Sequence, residues 1–131
     1  MSAATATGLT LDTGALLAFD HPGKALAMQA RLDEARRRGG TICIPAGAVA
    51  QAWRGPRQAR LARLLKSPDI EIAVMTLSAA RTVGLICADS GHDDIVDIHV
   101  VLCARQRNHA VVTSDPDDMA RIDPAVPRIA V

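Results

Sequence analysis

The stretch HDDIVDIHVVLCARQRNHAVVTSDPDD, from His92 to Asp118, admits few folds. It reads as a helix, a short turn, a buried strand and a second acidic cluster. Asp93, Asp94 and Asp97 open the helix. Val96, Val100, Val101 and Ala104 then recur close to the helical period. Acids in a first turn also suit the positive end of the helix dipole. Asn108 and His109 break the pattern. Ala110, Val111 and Val112 form a compact apolar strand, and Thr113-Ser114-Asp115 is the loop at its carboxyl end. Ligand sites of open α/β sheets gather outside such ends.

Asp94 and Asp97 share one helix face, as do Asp93 and Asp97. The sequence leaves open which of Asp93 and Asp94 points inward. Carboxylates that converge repel one another and raise one another's pKa values. A hard divalent cation such as Mg2+ relieves that repulsion, because it prefers oxygen ligands. The alternative is that these acids are helix caps and solvated charge.

A chain of 131 residues is long enough for one domain with a buried core, here 1–131 with Met1 to Thr7 as a loose start. Hydrophobic residues make up 49% but aromatic ones only 2%, so Ala, Val, Leu and Ile must build that core. The net charge of +1 points neither toward nucleic acid nor away from it. The distribution says more: eight of the 14 acids lie between Asp89 and Asp123, and five of the 15 basic residues between Arg54 and Lys66. An acidic pocket beside a basic surface suits a phosphodiester substrate. Cys43, Cys87 and Cys103 have no CxxC spacing and sit in apolar surroundings, as buried reduced thiols of a cytosolic protein would. The N-terminal residues resemble no signal peptide, and no apolar run has membrane-helix length, so a cytoplasmic location is expected.

Along the chain, Gly8 to Leu11 reads as a strand ended by Asp12-Thr13-Gly14. Asp12 is placed to hold a metal or to cap the helix Ala15 to Phe19, with Thr13 as the rival cap. Lys24 to Arg38 reads as an amphipathic helix packed through Leu26, Ala30, Leu32 and Ala35. Thr41 to Ile44 is a second buried strand, and Ala46 to Arg54 the helix after it. Gln51 on that helix faces either the cleft of Asp12 or solvent. Arg54, Arg57, Arg60, Arg63 and Lys66 form a basic stripe opposite Leu61, Leu64 and Leu65. That stripe is either a solvated face or a contact for RNA phosphates or an acidic protein. Ile70 to Val74 is a third strand near the sheet edge. Thr76 or Ser78 caps a helix running to about Ala88, with Ala79, Val83, Leu85 and Ile86 apolar. Pro116 starts a short helix and Pro127 to Val131 a last strand. Strands separated by helices predict a parallel sheet with helices on both faces.

The ordered acids and their apolar flanks resemble the PIN domain, most closely the VapC-type toxin ribonucleases of type II toxin–antitoxin pairs. The matching stretches are LTLDTGALLAF, IPAGAVAQAWRG and DDIVDIHVVLCARQRNHAVVTSDPDD, and the resemblance extends over essentially the whole chain from Gly8. The resemblance implies a three-layer α/β/α sandwich with a central, mainly parallel sheet. It implies Asp12, Asp94, Asp97 and Asp115 as catalytic residues, with Asp12, Asp97 and Asp115 as ligands of Mg2+ or Mn2+. It implies hydrolysis of RNA by in-line attack of water with that cofactor. It further implies a small cognate antitoxin and a homodimer. Gln51 stands where the family usually has Glu, and it offers a carbonyl oxygen but no charge. Thr13, Asp93 and Ser114 are accessory candidates beside Gln51, and Arg54 and Arg57 are candidate RNA or partner contacts.

The rival expectation is a PIN-like module that binds RNA or an antitoxin without efficient cleavage. His21, His92, His99 and His109 make no zinc spacing with each other or with Cys, and His99 reads as a partly buried helix residue. No GxGxxG or P-loop occurs, and Ser114 lacks the partners of a catalytic triad. One Trp and one Phe leave little for base stacking.

Overall fold

Five strands and seven helices alternate along residues 6–131, the residues that the computed structural model describes. The strands are β1 (Gly8–Leu11), β2 (Thr41–Pro45), β3 (Ile70–Ala73), β4 (Ala110–Thr113) and β5 (Arg128–Ala130). They form one sheet in the order β3-β2-β1-β4-β5, and every pairing is parallel. Side chains alternate across a strand, which divides the core. Leu9, Leu11, Ile42, Ile44, Ala110 and Val112 enter one cluster, while Val111 enters another. The first cluster is closed by residues of α1 (Thr13–Ala18), α2 (Ala25–Arg37), α3 (Ala46–Ala52) and α4 (Ala59–Leu65). The second is closed by α5 (Leu77–Ser90), α6 (Ile95–Arg107) and α7 (Pro116–Ile122). The result is the α/β/α sandwich expected from the pattern, with β3 at the sheet edge as expected. Among the described residues, no helix is long and apolar enough to cross a membrane.

Local chemistry sets the helix ends. Asp12, Asp94 and Asp115 cap α1, α6 and α7. Thr76 rather than Ser78 caps α5, accepting a bond from the Ala79 N–H at 3.1 Å. Gly91 ends α5 with φ +71°, a left-handed conformation that suits glycine. Asn108 ends α6 in the same region, with φ 57°.

Several sequence expectations need correction. On α2, Leu26 is 87% exposed and Ala30 is exposed, whereas Ala25, Met28 and Leu32 are buried. The apolar stripe is therefore rotated from the one expected, and only Leu32 and Ala35 survive from it. On α5, Leu85 is 72% exposed, and Val83 carries the packing. The basic stripe is not one helix face, because Arg54 and Arg57 precede α4 and Lys66 follows it as the cap residue. On α6, burial runs unbroken from Ile98 to Ala104, with the sheet on one side and α5 and α7 on others. His99 is accordingly buried rather than partly buried. Cys87 is half-buried, unlike Cys43 and Cys103.

Thr7 is not loose: its N–H donates to the Asn108 carbonyl at 2.8 Å, and its hydroxyl to the Arg107 carbonyl at 3.0 Å. Of the rest of the expected loose start, Ala6 packs against the core, and Met1 to Thr5 lie outside the described residues. His109 is buried between the hydroxyls of Thr10, at 3.0 Å, and Thr41, at 2.8 Å. Burial pushes its pKa down, which favours the neutral ring that such a pair of partners suits.

Candidate functional site

The chain lays down β1, β2 and β3 in one direction, then crosses to place β4 on the other side of β1. The carboxyl ends of β1 and β4 therefore flank a topological switch point, where the loops part and leave a crevice. Asp12 follows β1 directly, and Asp115 lies just beyond β4. The start of α6 adds Asp94 and Asp97. Asp12, the Asp94 and Asp97 pair, and Asp115 lie far apart in sequence and are brought to this end of the sheet by topology rather than by a local motif.

Each position has a local cause. Asp12 Oδ1 accepts the Ala15 N–H at 2.8 Å, and the residue is 4% exposed. Asp94 Oδ1 accepts the Asp97 N–H at 3.1 Å, and Asp115 Oδ1 accepts the Asp118 N–H at 3.3 Å. Capping thus commits one oxygen of each and orients the carboxyl group. Gly14 lets the two loops close: a Cβ there would stand 1.9 Å from the Ser114 hydroxyl oxygen.

The electrostatics follow from crowding. Burial pushes the Asp12 carboxyl above its usual range, and the charge of Asp115 adds to it. Hydrogen bonds from Thr113 and from the Ala15 and Gly14 N–H groups oppose the rise. Asp97 is pushed up to about 6, first by burial and then by the charges of Asp94 and Asp12. His92 opposes this rise, with Nε2 3.6 Å from Asp97 Oδ2. Among the described residues no Lys or Arg forms an ion pair with Asp12, Asp94, Asp97 or Asp115.

The expected site residues sort clearly. Asp12 is electrostatically linked to Asp97 and to Asp115, and Asp97 to Asp94. Asp94, half-buried, settles the choice left open by the sequence, since Asp93 is exposed ahead of the cap. Thr13 does not cap α1; its hydroxyl donates instead to Gln51 Oε1 at 2.6 Å. That bond brings Gln51 beside the residue next to Asp12, although Gln51 is exposed. Ser114, an accessory candidate, packs over Gly14, and the side-chain hydroxyl that bonds Asp12 is that of Thr113. The Arg54 guanidinium turns back onto its own helix end, donating to the carbonyls of Trp53, at 2.7 Å, and Ala50, at 3.2 Å. Arg57 is exposed in the turn before α4.

Two residues were missed. Thr113 is fully buried and serves both loops, bonding Asp12 and accepting the Asp115 N–H at 2.9 Å. His92 faces Asp97, with its Nε2 buried and short of any hydrogen-bond partner. The signal for Thr113 was present, as a hydroxyl residue between a buried strand and an acid. His92 carried no such signal, because its direction depends on the turn at Gly91.

The donor set fits a hard divalent cation: carboxylate oxygens, partly desolvated and without a Lys or Arg ion pair among the described residues. Among the described residues, no three His, Cys, Asp or Glu side chains stand close enough to ligate one ion together. Sharing an ion would require these carboxylates to draw closer. The 430 Å³ cavity lined by Leu9, Ala30, Arg31 and Ile129 lies at the opposite, amino end of the strands and takes no part in this site. Compared with family models and with curated proteins, the chain matches none.

Proposed function

We propose that this chain is a metal-dependent endoribonuclease of the PIN type, acting as the toxin of a type II toxin–antitoxin pair. The observation that carries the reading is the convergence of Asp12, Asp94, Asp97 and Asp115 at the switch point without a Lys or Arg partner. Asp12, Asp97 and Asp115 would hold Mg2+ or Mn2+. The bound ion would neutralise phosphate charge and make water a stronger nucleophile. Asp94 fixes the first turn of α6 and raises the affinity of Asp97 for positive charge. Thr113 holds Asp12 and Asp115 in register with each other. Gln51, tied to Thr13, supplies a neutral oxygen at the rim. A small cognate antitoxin, an RNA substrate, a homodimer and a cytoplasmic location belong to the same proposal, and rest on the resemblance in sequence.

The second reading is a binding module that holds RNA or an antitoxin without efficient cleavage. Gln51 favours it, because a carboxylate at that rim position would add charge for the ion and Gln does not.

The test is cleavage of total RNA by purified, antitoxin-free protein with Mg2+, with Mn2+ and with EDTA, beside Asp97→Asn. The nuclease reading expects discrete fragments that need metal and vanish in the variant. Folded protein that binds RNA but leaves it intact in all three conditions favours the binding module. Gln51→Glu would then be expected to gain cleavage if charge at the rim is the missing part.

A further inference from the structure

Away from the acids, the face of the sheet under α6 buries two cysteines. Cys43, in the middle of β2, is fully buried, and Cys103, in the last third of α6, is 2% exposed. They meet in a small cluster with Ala73 of β3. His99 lies one turn before Cys103, with Nε2 3.5 Å from its sulfur. Arg107 lies one turn after, and its Nη1 donates to the Cys103 carbonyl at 3.2 Å. The rest of that guanidinium grips Glu71, at 2.8 and 2.7 Å, and Glu71 is the register partner of Cys43 on β3. Two thiols and an imidazole thus share one enclosed region, with a partly exposed ion pair at its edge.

We propose that Cys43 and Cys103 form a redox-active dithiol, oxidised by hydrogen peroxide to a disulfide that ties β2 to α6.

The surroundings assign the roles. Contact with the Cys43 thiol, then His99 and Arg107, hold the Cys103 thiol below the usual range, while contact with Cys103 and burial push the Cys43 thiol up. Cys103 is the better nucleophile and Cys43 keeps its proton. In the first step the Cys103 thiolate sulfur attacks one peroxide oxygen. The O–O bond breaks, Cys103 becomes a sulfenic acid, and the leaving hydroxide takes a proton to become water. In the second step the Cys43 sulfur attacks the Cys103 sulfur. The S–O bond breaks, the Cys43 proton leaves with the hydroxyl as a second water, and the disulfide forms. Two thiols and one peroxide give one disulfide and two waters. A peroxide is small enough to reach a closed interior on local opening, which a bulky disulfide reagent is not. Cys87 on α5 is half-buried and is not part of this cluster, so it serves as the internal control.

The cross-link would have a mechanical consequence. Its α6 end lies on the same helix as Asp94 and Asp97, and its β2 end on the strand that leads into α3 and Gln51. Oxidation would pin the helix that carries half of the acidic site.

The test treats the full-length chain with hydrogen peroxide, unfolds it, alkylates free thiols and maps peptides without reduction. The expected product is an intramolecular Cys43–Cys103 peptide pair lighter by two hydrogens and reversed by dithiothreitol. It should form equally in Cys87→Ser and should raise Tm by roughly 5 °C. Full alkylation of Cys43 and Cys103 after peroxide would overturn the proposal, as would a link through Cys87 or sulfinic acid at Cys103 without a bridge. Mapping of the unmutated chain decides the matter even if Cys103→Ser fails to fold, and a folded Cys103→Ser should lose both the bridge and the Tm rise.

Discussion

Two groups of acids in this protein meet opposite fates. Glu71 and Asp69, on and beside β3, each face an arginine: Arg107 grips Glu71 at 2.7 Å, and Arg36 grips Asp69 at 2.6 Å. Those hydrogen-bonded cations hold both carboxyls below their usual range. Asp12 and Asp97, at the switch point, face burial and the charges of other acids, and both stand above it. The first group fastens elements together, as Arg107 does between α6 and β3. The second costs folding free energy in the absence of a cation. A fold that supplies arginines to its edge acids and none to its central ones leaves a place suited to positive charge from outside.

The comparison is most sharply tested by activity. If the second group is the catalytic one, Asp97→Asn should lower RNA cleavage by roughly 100-fold or more, whereas Glu71→Gln should leave it within about twofold. Equal losses, read by initial rates on one RNA, would erase the distinction.

Gly14→Ala attacks the loop closure between the two strand ends. The added Cβ meets the Ser114 side chain and the Ser114 N at 3.3 Å. Overpacking of this kind costs about 1–3 kcal/mol. Chemical denaturation should show that loss, and Ser114→Gly in the same chain should recover most of it.

The two groups should also give opposite pH slopes. A folded pKa raised to about 6 at Asp97 means that its favourable contribution is present below the unfolded value and is lost as pH rises through 6. In metal-free protein, Asp97→Asn should therefore gain about 1–2 kcal/mol at neutral pH, after a discount for solvent screening, and little near pH 4. Urea titrations at the two pH values would show it, and Mg2+ should narrow the gain if the ion binds there.

The smallest effect is expected at the paired acids. Arg107→Ala should cost about 1 kcal/mol at neutral pH, since the pair is partly exposed. Because the Glu71 pKa is lowered, that stabilisation is present above its unfolded value and fades as pH falls through the folded one. A loss that persisted undiminished in acid would assign the role of Arg107 to its bond with the Cys103 carbonyl instead.

Much of this was legible from the residues. The strands gave themselves away as short apolar runs between breakers, and Asp12, Asp94 and Asp115 as acids at element junctions. Alternation of strands and long helices implied parallel pairing, which every register confirms. Periodicity failed where the surroundings were not one-sided. Helix α6 is buried over seven consecutive residues because it is packed on several sides. Leu26 and Leu85 fit an apolar pattern but face outward, since hydropathy states what a side chain prefers and not which neighbour covers it.

Sequence by itself thus determined the order and type of the elements, the capping acids and the small-residue core, because these depend on neighbours within a few positions. Tertiary structure alone decided that Asp94 rather than Asp93 joins Asp97, that Thr113 rather than Ser114 serves Asp12, and that His92 faces Asp97. It also decided that Cys43 and Cys103 meet across the sheet–helix boundary. Those outcomes depend on the direction of a side chain relative to a distant element. That direction is set by turn geometry and by layer packing, neither of which is encoded in the spacing of residues along the chain.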